Sequence, residues 1–169
     1  MSSASELESE PMSTPEPAST ATQYLIFTLA HEEYGVPALK VREIVRMAAI
    51  TRLLQMPPHV AGAFTLRGQT IPIVDLRRKF GLPSDADTER TCIIVGGVMR
   101  SGRDAMVGMV VDDVSDVRQI SSDDVEDGWH GGEFVTARAL GVVQTKDTTT
   151  RLLDLDAVLS ADAVFAQAA

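Results

Sequence analysis

The sequence is poor in several residue types, and each shortage excludes a class of protein. It has one cysteine in 169 residues, which excludes an internal disulfide framework. Cys92 lies in an apolar, β-prone run and is predicted to be a buried thiol. Aromatic residues make up only 5% of the chain, so a core must be built from aliphatic side chains. No apolar run approaches the roughly 20 residues that span a bilayer, so direct membrane insertion is not expected.

Basic residues are also scarce. Lys and Arg total 15 against 24 Asp and Glu, a net charge of −9, which argues against nucleic acid as a partner. Residues 1–22 contain four glutamates and no Lys or Arg. This segment is rich in Ser, Thr, Glu and Pro and is predicted to be a disordered acidic tail, with residues 164–169 as a second, short tail. A secretory signal is not recognised, so we expect a cytoplasmic protein.

The residues of catalytic and metal sites are missing in the patterns that such sites need. The three histidines (His31, His59 and His130) lack a second ligand at zinc spacing. Phosphate-binding loops, nucleophile elbows and complete calcium loops are absent from the sequence. The sequence therefore predicts a protein that is not an enzyme and that needs no metal or cofactor.

An internal repeat is what the sequence does contain. The segment 73–80 is echoed by 152–159, where two apolar residues precede Asp-Leu and a short apolar segment. Each Asp (Asp75 and Asp154) can cap a following helical turn. Earlier in each copy, Gly35 and Glu43 match a Gly-containing strand and an acidic residue 73 residues later, Gly108 and Asp116. Two matches in the same order indicate duplication.

The remaining pattern is one of short, Val-rich runs separated by Gly, Pro and Asp turns, which favours an all-β protein. With the duplication, this predicts two small barrels of about five strands each. The approximate divide is placed at 81–91. Residues 60–64 are predicted to form an irregular, Gly-containing segment that leads into the next strand. Strands are predicted at 50–54 and 134–144. A long polar hairpin loop is predicted at 144–150, and a C-terminal helix at 156–167.

One charged pair remains to be explained, Glu43 and Arg67. The acidic position has an echo at Asp116, whereas the region taken to match Arg67 reads Ala-Leu-Gly at 139–141. Arg67 could bridge to a local carboxylate and stabilise the first barrel. Alternatively, the pair could contact a partner, since Arg suits forked contacts with carboxylates. The two interpretations are compatible.

The chain resembles the CheW family of chemotaxis coupling proteins, from about Gln23 to Leu159. The motifs that carry the resemblance are Phe27-Thr28-Leu29 with Glu33-Tyr34-Gly35-Val36, Val41-Arg42-Glu43-Ile44, Leu66-Arg67-Gly68, Ile71 to Arg77, and Val110 to Val117. The resemblance implies two SH3-like, five-stranded barrels in pseudo-symmetric arrangement within a CheW-like domain at 23–163. It also implies a non-catalytic adaptor that binds the cytoplasmic tip of methyl-accepting chemoreceptors and the CheW-like domain of the CheA histidine kinase.

The resemblance also assigns roles to individual residues. Those expected to contact receptor or kinase are Val41, Glu43, Ile44, Arg67 and Val117. Gly62 and Gly68 are expected to hold the backbone, and the internal repeat adds Gly35 and Asp75 as structural residues. Such a protein would be monomeric alone and would join arrays on the inner face of the membrane. Two alternatives are a CheW-like scaffold for a different kinase pathway and a small β-barrel that binds a ligand or oligonucleotide.

Overall fold

The computed structural model describes residues 21–47, 50–52, 55–83, 87–100, 102–126, 139–145 and 147–159. The strands are β1 (Ala21–Leu29), β2 (Glu32–Pro37), β3 (Val41–Arg46), β4 (Val60–Leu66), β5 (Gln69–Asp75), β6 (Cys92–Arg100), β7 (Arg103–Val111), β8 (Asp113–Ser121), β9 (Val125–Glu126), β10 (Ala139–Gln144) and β11 (Thr149–Leu153). The helices are α1 (Leu76–Lys79) and α2 (Leu155–Leu159), with 3-10 turns at Ala38–Lys40 and Ser122–Asp124.

The strands form two sheets. A six-stranded sheet has the order β8-β1-β2-β11-β10-β9, and a five-stranded sheet has the order β3-β6-β7-β5-β4. The predicted all-β class with two barrel-like subdomains and short helices is confirmed. The extra strand of the six-stranded sheet is the two-residue β9.

The two sheets exchange hairpins. The hairpin β1–β2 lies between β8 and β11, whereas β6–β7 lies between β3 and β5. The chain therefore passes from one sheet to the other at the turn 38–40 and again at Asp112. Residues 81–91 connect β5 to β6 within one sheet. The divide predicted there separates the two copies of the sequence repeat, but it does not separate the two sheets.

The strand register confirms that the sequence repeat is also a structural repeat. The pairing of β3 with β6 shifts at Arg42, and that of β8 with β1 shifts at Ser115, 73 residues later. The parallel pairs place Gly35 opposite Leu152 in one sheet and Gly108 opposite Ile73 in the other. The two copies thus share bulges and close approaches as well as residue patterns.

Most of the buried apolar residues form one core shared by both sheets. Phe27 and Val36 of the six-stranded sheet belong to the same cluster as Val74 and Ile94 of the five-stranded sheet. A second cluster, around Ile71, lies within the five-stranded sheet. The third cluster, in the six-stranded sheet, is the smallest.

The six-stranded sheet contains a polar triad of Glu33, Arg118 and Thr150, at positions whose counterparts in the five-stranded sheet are apolar. The buried Thr150 hydroxyl donates to Glu33 Oε1 at 2.6 Å, and Arg118 Nη1 donates to the same oxygen at 3.3 Å. Burial alone would raise the pKa of Glu33, but these hydrogen bonds and the Arg118 charge lower it below its usual value. The equivalent residues in the five-stranded sheet are all apolar members of the second cluster or packed against it: Val45, Ile71 and Met106.

Several sequence predictions need correction. Residues 60–66 form a full strand instead of an irregular segment that leads into one. Gly62 and its small neighbours obscure the alternation of apolar and polar residues that would have indicated the strand. The hairpin at 144–150 is short, since Thr145 N donates to Thr148 O at 2.8 Å. The β1 strand begins at Ala21, so residues 21–22 belong to the sheet and not to the predicted tail.

Other predictions are only partly covered by the described residues. Of the predicted strand 50–54, the structure shows a single bridge from Thr51 to Ala63. Of the C-terminal helix predicted at 156–167, it describes 155–159. The acidic tail to residue 20, part of the strand predicted at 134–144, and the short tail 164–169 lie outside the described residues.

Candidate functional site

The tight turn between β4 and β5 carries Arg67. Leu66 pairs directly with Gln69, so Arg67 and Gly68 are the two central residues of the turn. Their φ angles are 52° and 78°, and two positive values are the signature of the type I′ turn that suits the twist of a hairpin. A side chain at Gly68 would meet open space, so this glycine is favoured for its backbone angle alone.

Arg67 and Glu43 form a forked ion pair across the opening of the curled sheet. Arg67 Nη1 donates to Glu43 Oε1, and Nη2 donates to Oε2 at 3.2 Å. Glu43 lies on β3, at one edge of the five-stranded sheet, and Arg67 follows β4, at the other edge. The side chain of Arg67 is 74% exposed, and exposed pairs of this kind contribute only about 0.2–1 kcal/mol to stability.

The apolar residues predicted for the partner surface are divided between places. Ile44 is exposed beside Glu43 on β3, whereas Val41 is half-buried and packs against the shared core. Val117 is exposed on β8, the edge strand of the other sheet, at the position equivalent to Ile44. The structure therefore brings Glu43 and Arg67 together on the five-stranded sheet, whereas Ile44 points to the opposite face of β3 and Val117 lies on the other sheet.

The residues predicted to hold the backbone lie at close approaches and caps. Gly62 has a φ of +143°, and a Cβ there would overlap the carbonyl oxygen of Thr51. Gly35 faces the side chains of Ile26 and Leu152. Asp75 is the N-cap of α1 and accepts from Arg77 N at 3.0 Å.

The buried cluster around Arg77 is not among the features predicted from the sequence. Its guanidinium donates to Asp75 through Nε and Nη2, at 3.0 and 2.9 Å, and to Asp112 through Nη1 at 2.8 Å. These hydrogen bonds raise the pKa of Arg77, which is charged at any physiological pH in either case. Asp112 also accepts from Ala30 N, so the cluster joins α1 to the second crossover. The available signal was an arginine two residues after a capping Asp.

The first crossover, at 38–40, also has an ion pair, but here the helix carries the carboxylate and the crossover carries the cation. Asp156 lies in α2, 79 residues after Arg77, and its carboxylate accepts from Lys40 Nζ at 3.0 and 2.9 Å and from Met99 N at 2.9 Å. Burial would raise the pKa of Asp156, but the hydrogen bonds and the charge of Lys40 lower it. An ion pair therefore connects each crossover to a helix: Asp112 to α1 through Arg77, and Lys40 to α2 through Asp156.

The described residues also contain an open cleft and an isolated thiol. The cleft has a volume of about 310 Å³ and lies beside the start of β4, with Met47 and Ile50 among its apolar walls and Arg52 and Arg78 at its rim. Burial and the charge of Asp113 raise the pKa of the Cys92 thiol. Among the residues that the structure covers, groups of three or more His, Cys, Asp or Glu suited to a metal ion are not found. Helices long and apolar enough to cross a membrane are also absent from the described part of the chain.

Comparison with known proteins gives the family. The sequence model of the CheW-like domain matches residues 23–163. Chemotaxis protein CheW of Klebsiella aerogenes is 41% identical over 103 residues, which span 61% of this chain and 60% of that protein, less than two thirds of its length. Chemotaxis protein CheW of Bacillus subtilis is 28% identical over 141 residues, or 83% of this chain and 88% of that protein.

A solved structure agrees with this assignment. The crystal structure of scaffolding protein TtCheW from Thermoanaerobacter tengcongensis matches with a TM-score of 0.73 and 27% identity. The match covers 84% of this chain and 94% of that one. The chain therefore belongs to the CheW-like domain family, and this places it among adaptors of chemotaxis signalling instead of among enzymes.

Proposed function

We propose that this protein couples methyl-accepting chemoreceptors to a CheA-type histidine kinase by binding both. The observation that carries the proposal is the forked Glu43–Arg67 pair, which joins the two edges of the five-stranded sheet at the surface of a CheW-like chain. In this proposal the protein works in the cytoplasm, at receptor arrays on the inner face of the membrane. It is a monomer alone and assembles only with its partners.

The edge strand β3 and the turn that carries Arg67 have the chemistry needed to dock the helical tip of a receptor, with Glu43 on one face of β3 and Ile44 on the other. Ile44 offers an apolar contact for the hydrophobic face of a helix. Arg67 has five N–H donors, and its two hydrogen bonds to Glu43 leave others for a carboxylate or carbonyl of the partner. Glu43 fixes the direction of the guanidinium before binding, which lowers the entropy cost of using it.

The edge of the other sheet is proposed to serve the kinase. Val117 is exposed on β8 at the position equivalent to Ile44. Because the duplication gives the protein two edges of similar shape but different side chains, one adaptor can hold two different partners at once.

Reconstitution tests the proposal directly. We expect the purified protein to form a ternary complex with a CheA-type kinase and a receptor cytoplasmic fragment, seen by size-exclusion chromatography at tens of micromolar. If the protein elutes alone in the presence of both partners, the proposal fails. If it binds a kinase but no chemoreceptor fragment, the alternative of a scaffold for another kinase pathway is favoured.

Reversing the charge of Arg67 is expected to weaken receptor binding more than it lowers stability. Arg67→Glu places two carboxylates together at an exposed edge, and we expect about a tenfold or greater loss of receptor affinity. Arg90→Glu is the matched control, since Arg90 is 73% exposed and pairs with Asp113 at 3.2 Å. If Arg67→Glu instead lowers the melting temperature by several degrees while the folded fraction binds receptor normally, the pair is structural only.

The apolar part of the surface has its own matched pair of variants. Ile44 and Leu140 are both 43% exposed, but Leu140 lies on β10 of the other sheet. We expect Ile44→Asp to weaken receptor binding and Leu140→Asp to leave it unchanged, measured by isothermal titration calorimetry. Equal effects of the two variants would contradict the placement of the receptor surface on β3.

A further inference from the structure

The cleft beside the start of β4 lies apart from the Arg67 turn. Val60 is the first residue of β4 and lines the cleft, whereas Arg67 follows the last residue of the same strand. The seven-residue strand between them spans about 20 Å. We call this cleft of about 310 Å³ the β4 cleft. A partner can therefore enter it without touching Arg67.

The walls of the β4 cleft are apolar and join two parts of the core. Met47, Ile50 and Ala61 pack against the second cluster, and Val60 packs against the core shared by both sheets. All four side chains are only partly buried, so each keeps some apolar surface in contact with water. An apolar side chain that enters the cleft removes this surface from water, which favours binding.

Backbone hydrogen bonds fix the walls before anything binds. Thr51 and Ala63 exchange two of them, at 2.8 and 2.9 Å, which hold the segment 50–52 against β4. Asp75 N donates to His59 O at 2.8 Å and so connects the end of β5 to the residue before β4. A pocket that is already formed costs less entropy to fill than one that must be ordered by its ligand.

Two arginines give the rim of the β4 cleft a positive charge. Arg52 is exposed, and no carboxylate pairs with it among the residues that the structure describes. Arg78 is 56% exposed, and its Nε lies 3.8 Å from Asp75 Oδ2, which is too long for a hydrogen bond. The Asp75 carboxylate is already held by Arg77, which donates to both of its oxygens. The rim is thus basic in a chain whose net charge is −9.

We propose that the β4 cleft docks a protein segment in which a large apolar residue is flanked by Asp or Glu. The apolar side chain fills the cleft as an anchor, and the flanking carboxylates accept forked hydrogen bonds from Arg52 and Arg78. Inorganic phosphate fits less well, because it meets the arginines but leaves the apolar walls in water. This contact is additional to the coupling of receptor and kinase and does not rest on that function.

Methyl NMR of the full chain tests the proposal with defined peptides. The probes are three peptides in which Leu, Met or Phe lies between two pairs of glutamates, and the control peptides carry lysines in place of the glutamates. We expect at least one glutamate peptide to shift the methyl resonances of Met47 and Ile50 with a dissociation constant of about 1 mM or below. We expect the lysine peptides to shift neither. The proposal is overturned if no glutamate peptide shifts these methyls, or if inorganic phosphate shifts them equally.

Variants assign the contact to the two arginines. Arg52→Gln and Arg78→Gln each remove one charge from the rim, and we expect each to weaken peptide binding about tenfold. Arg90→Gln is the matched control, since Arg90 is 73% exposed and pairs with Asp113 away from the cleft, and its affinity should be unchanged. Equal losses in all three variants would contradict the site. Arg67→Gln should also bind normally; if it abolishes binding, the peptide occupies the proposed receptor surface and not the β4 cleft.

Discussion

At the scale of single residues, Arg67 and Arg77 show how burial decides what an ion pair does. Arg67 is solvated and pairs with one carboxylate, so its pair with Glu43 is screened by water and salt. Arg77 is 4% exposed and lies among Asp75, Asp112 and Asp87. Removing a buried partner leaves the others desolvated and unpaired, which is far more costly than losing an exposed pair. Arg67 is therefore available to bind a partner, whereas Arg77 stabilises the fold.

Truncating Arg77 is expected to destabilise the protein severely. Arg77→Met leaves the carboxylates of Asp75 and Asp112 without their main donor, and we expect the free energy of unfolding in urea to fall by about 3–5 kcal/mol. The neighbouring Arg78, 56% exposed and 3.8 Å from Asp75, is the control, with an expected loss of at most about 1 kcal/mol for Arg78→Met. Equal losses would mean that the buried cluster contributes little.

Glu33 makes stability depend on pH. Because its pKa is lower in the folded protein than its usual 4.5, its contribution is fully present above that value and is lost as the pH falls through the folded-state pKa. We expect the urea midpoint to decrease on acidification below about pH 4.5.

A variant of the polar triad can test this dependence. The combined substitutions Glu33→Met, Arg118→Val and Thr150→Ile copy the apolar residues at the equivalent positions of the other sheet. Replacing all members of such a network at once leaves no buried charge unpaired and is often neutral or stabilising by about 1–4 kcal/mol where the new side chains pack well. The volume lost in Arg118→Val is partly at the surface, since Arg118 is 33% exposed. We expect the variant to be at least as stable as the wild type at pH 7 and to have a flatter acid profile. An unchanged acid slope would assign the effect to other carboxyls.

At the scale of elements, the same local devices recur in both repeats. Gly62 and Gly141 lie 79 residues apart, both at register shifts, and have φ angles of +143° and +144°. The turn after Gly62 holds Arg67 and Gly68, and the same offset leads to 146–147 in the second repeat. In the sequence repeat, the region matched to Arg67 is 139–141, which has no basic residue. The register shows instead that the equivalent position is Lys146, a second basic residue, which itself lies outside the described residues.

The two kinds of glycine on this hairpin are expected to differ in their tolerance of a methyl group. Gly62→Ala combines a positive φ with overlap on Thr51 O and 2.7 Å to Ile50 Cγ2, so we expect a loss of about 2–4 kcal/mol. The added methyl of Gly68→Ala meets no atom within 4 Å. Only the positive φ should therefore lower the stability of this variant, by about 1–2 kcal/mol. Thermal unfolding of the two variants compares them, and a larger loss at Gly68 would contradict the packing at Gly62.

At the scale of the whole molecule, the exchange of hairpins makes the two repeats interdependent. Each sheet contains strands from both halves of the chain, and the shared core joins Phe27 and Val36 to Ile94 and Val107. Neither repeat can therefore complete its sheet without the other.

Splitting the chain tests this interdependence. We expect fragments 1–85 and 86–169 to be unfolded when separate, with poorly dispersed amide NMR spectra, because each lacks a hairpin that its partner supplies. Mixing them should restore a dispersed spectrum and a one-to-one complex in size-exclusion chromatography. A dispersed spectrum from either fragment as a monomer would show that a repeat can close on its own hairpin.

Particular residues explain how much the sequence could predict. Asp75 was recognisable because an Asp between a strand and an apolar turn has few other roles, and Gly35 and Glu43 were recognisable because they recur at a fixed offset. Arg77 was missed because the sequence does not show that it is buried, or that Asp112, 35 residues later, joins Asp75 around its guanidinium. Strand β4 was missed because Gly62 interrupts its alternation at a bulge whose cause, the carbonyl of Thr51, lies on another segment.

The β class, the duplication, the capping Asp75 and the family resemblance are recognisable without coordinates, because they depend on local propensity, periodicity and ordered motifs. Which hairpin completes which sheet is visible in the fold alone, since the two repeats offer similar edges and differ in how the crossovers at 38–40 and Asp112 are held. The fold also separates the two arginines, because burial is a property of the assembled molecule. The sequence identified Arg67 as worth attention, and the fold showed that it lies exposed across a sheet opening while Arg77 holds the molecule together.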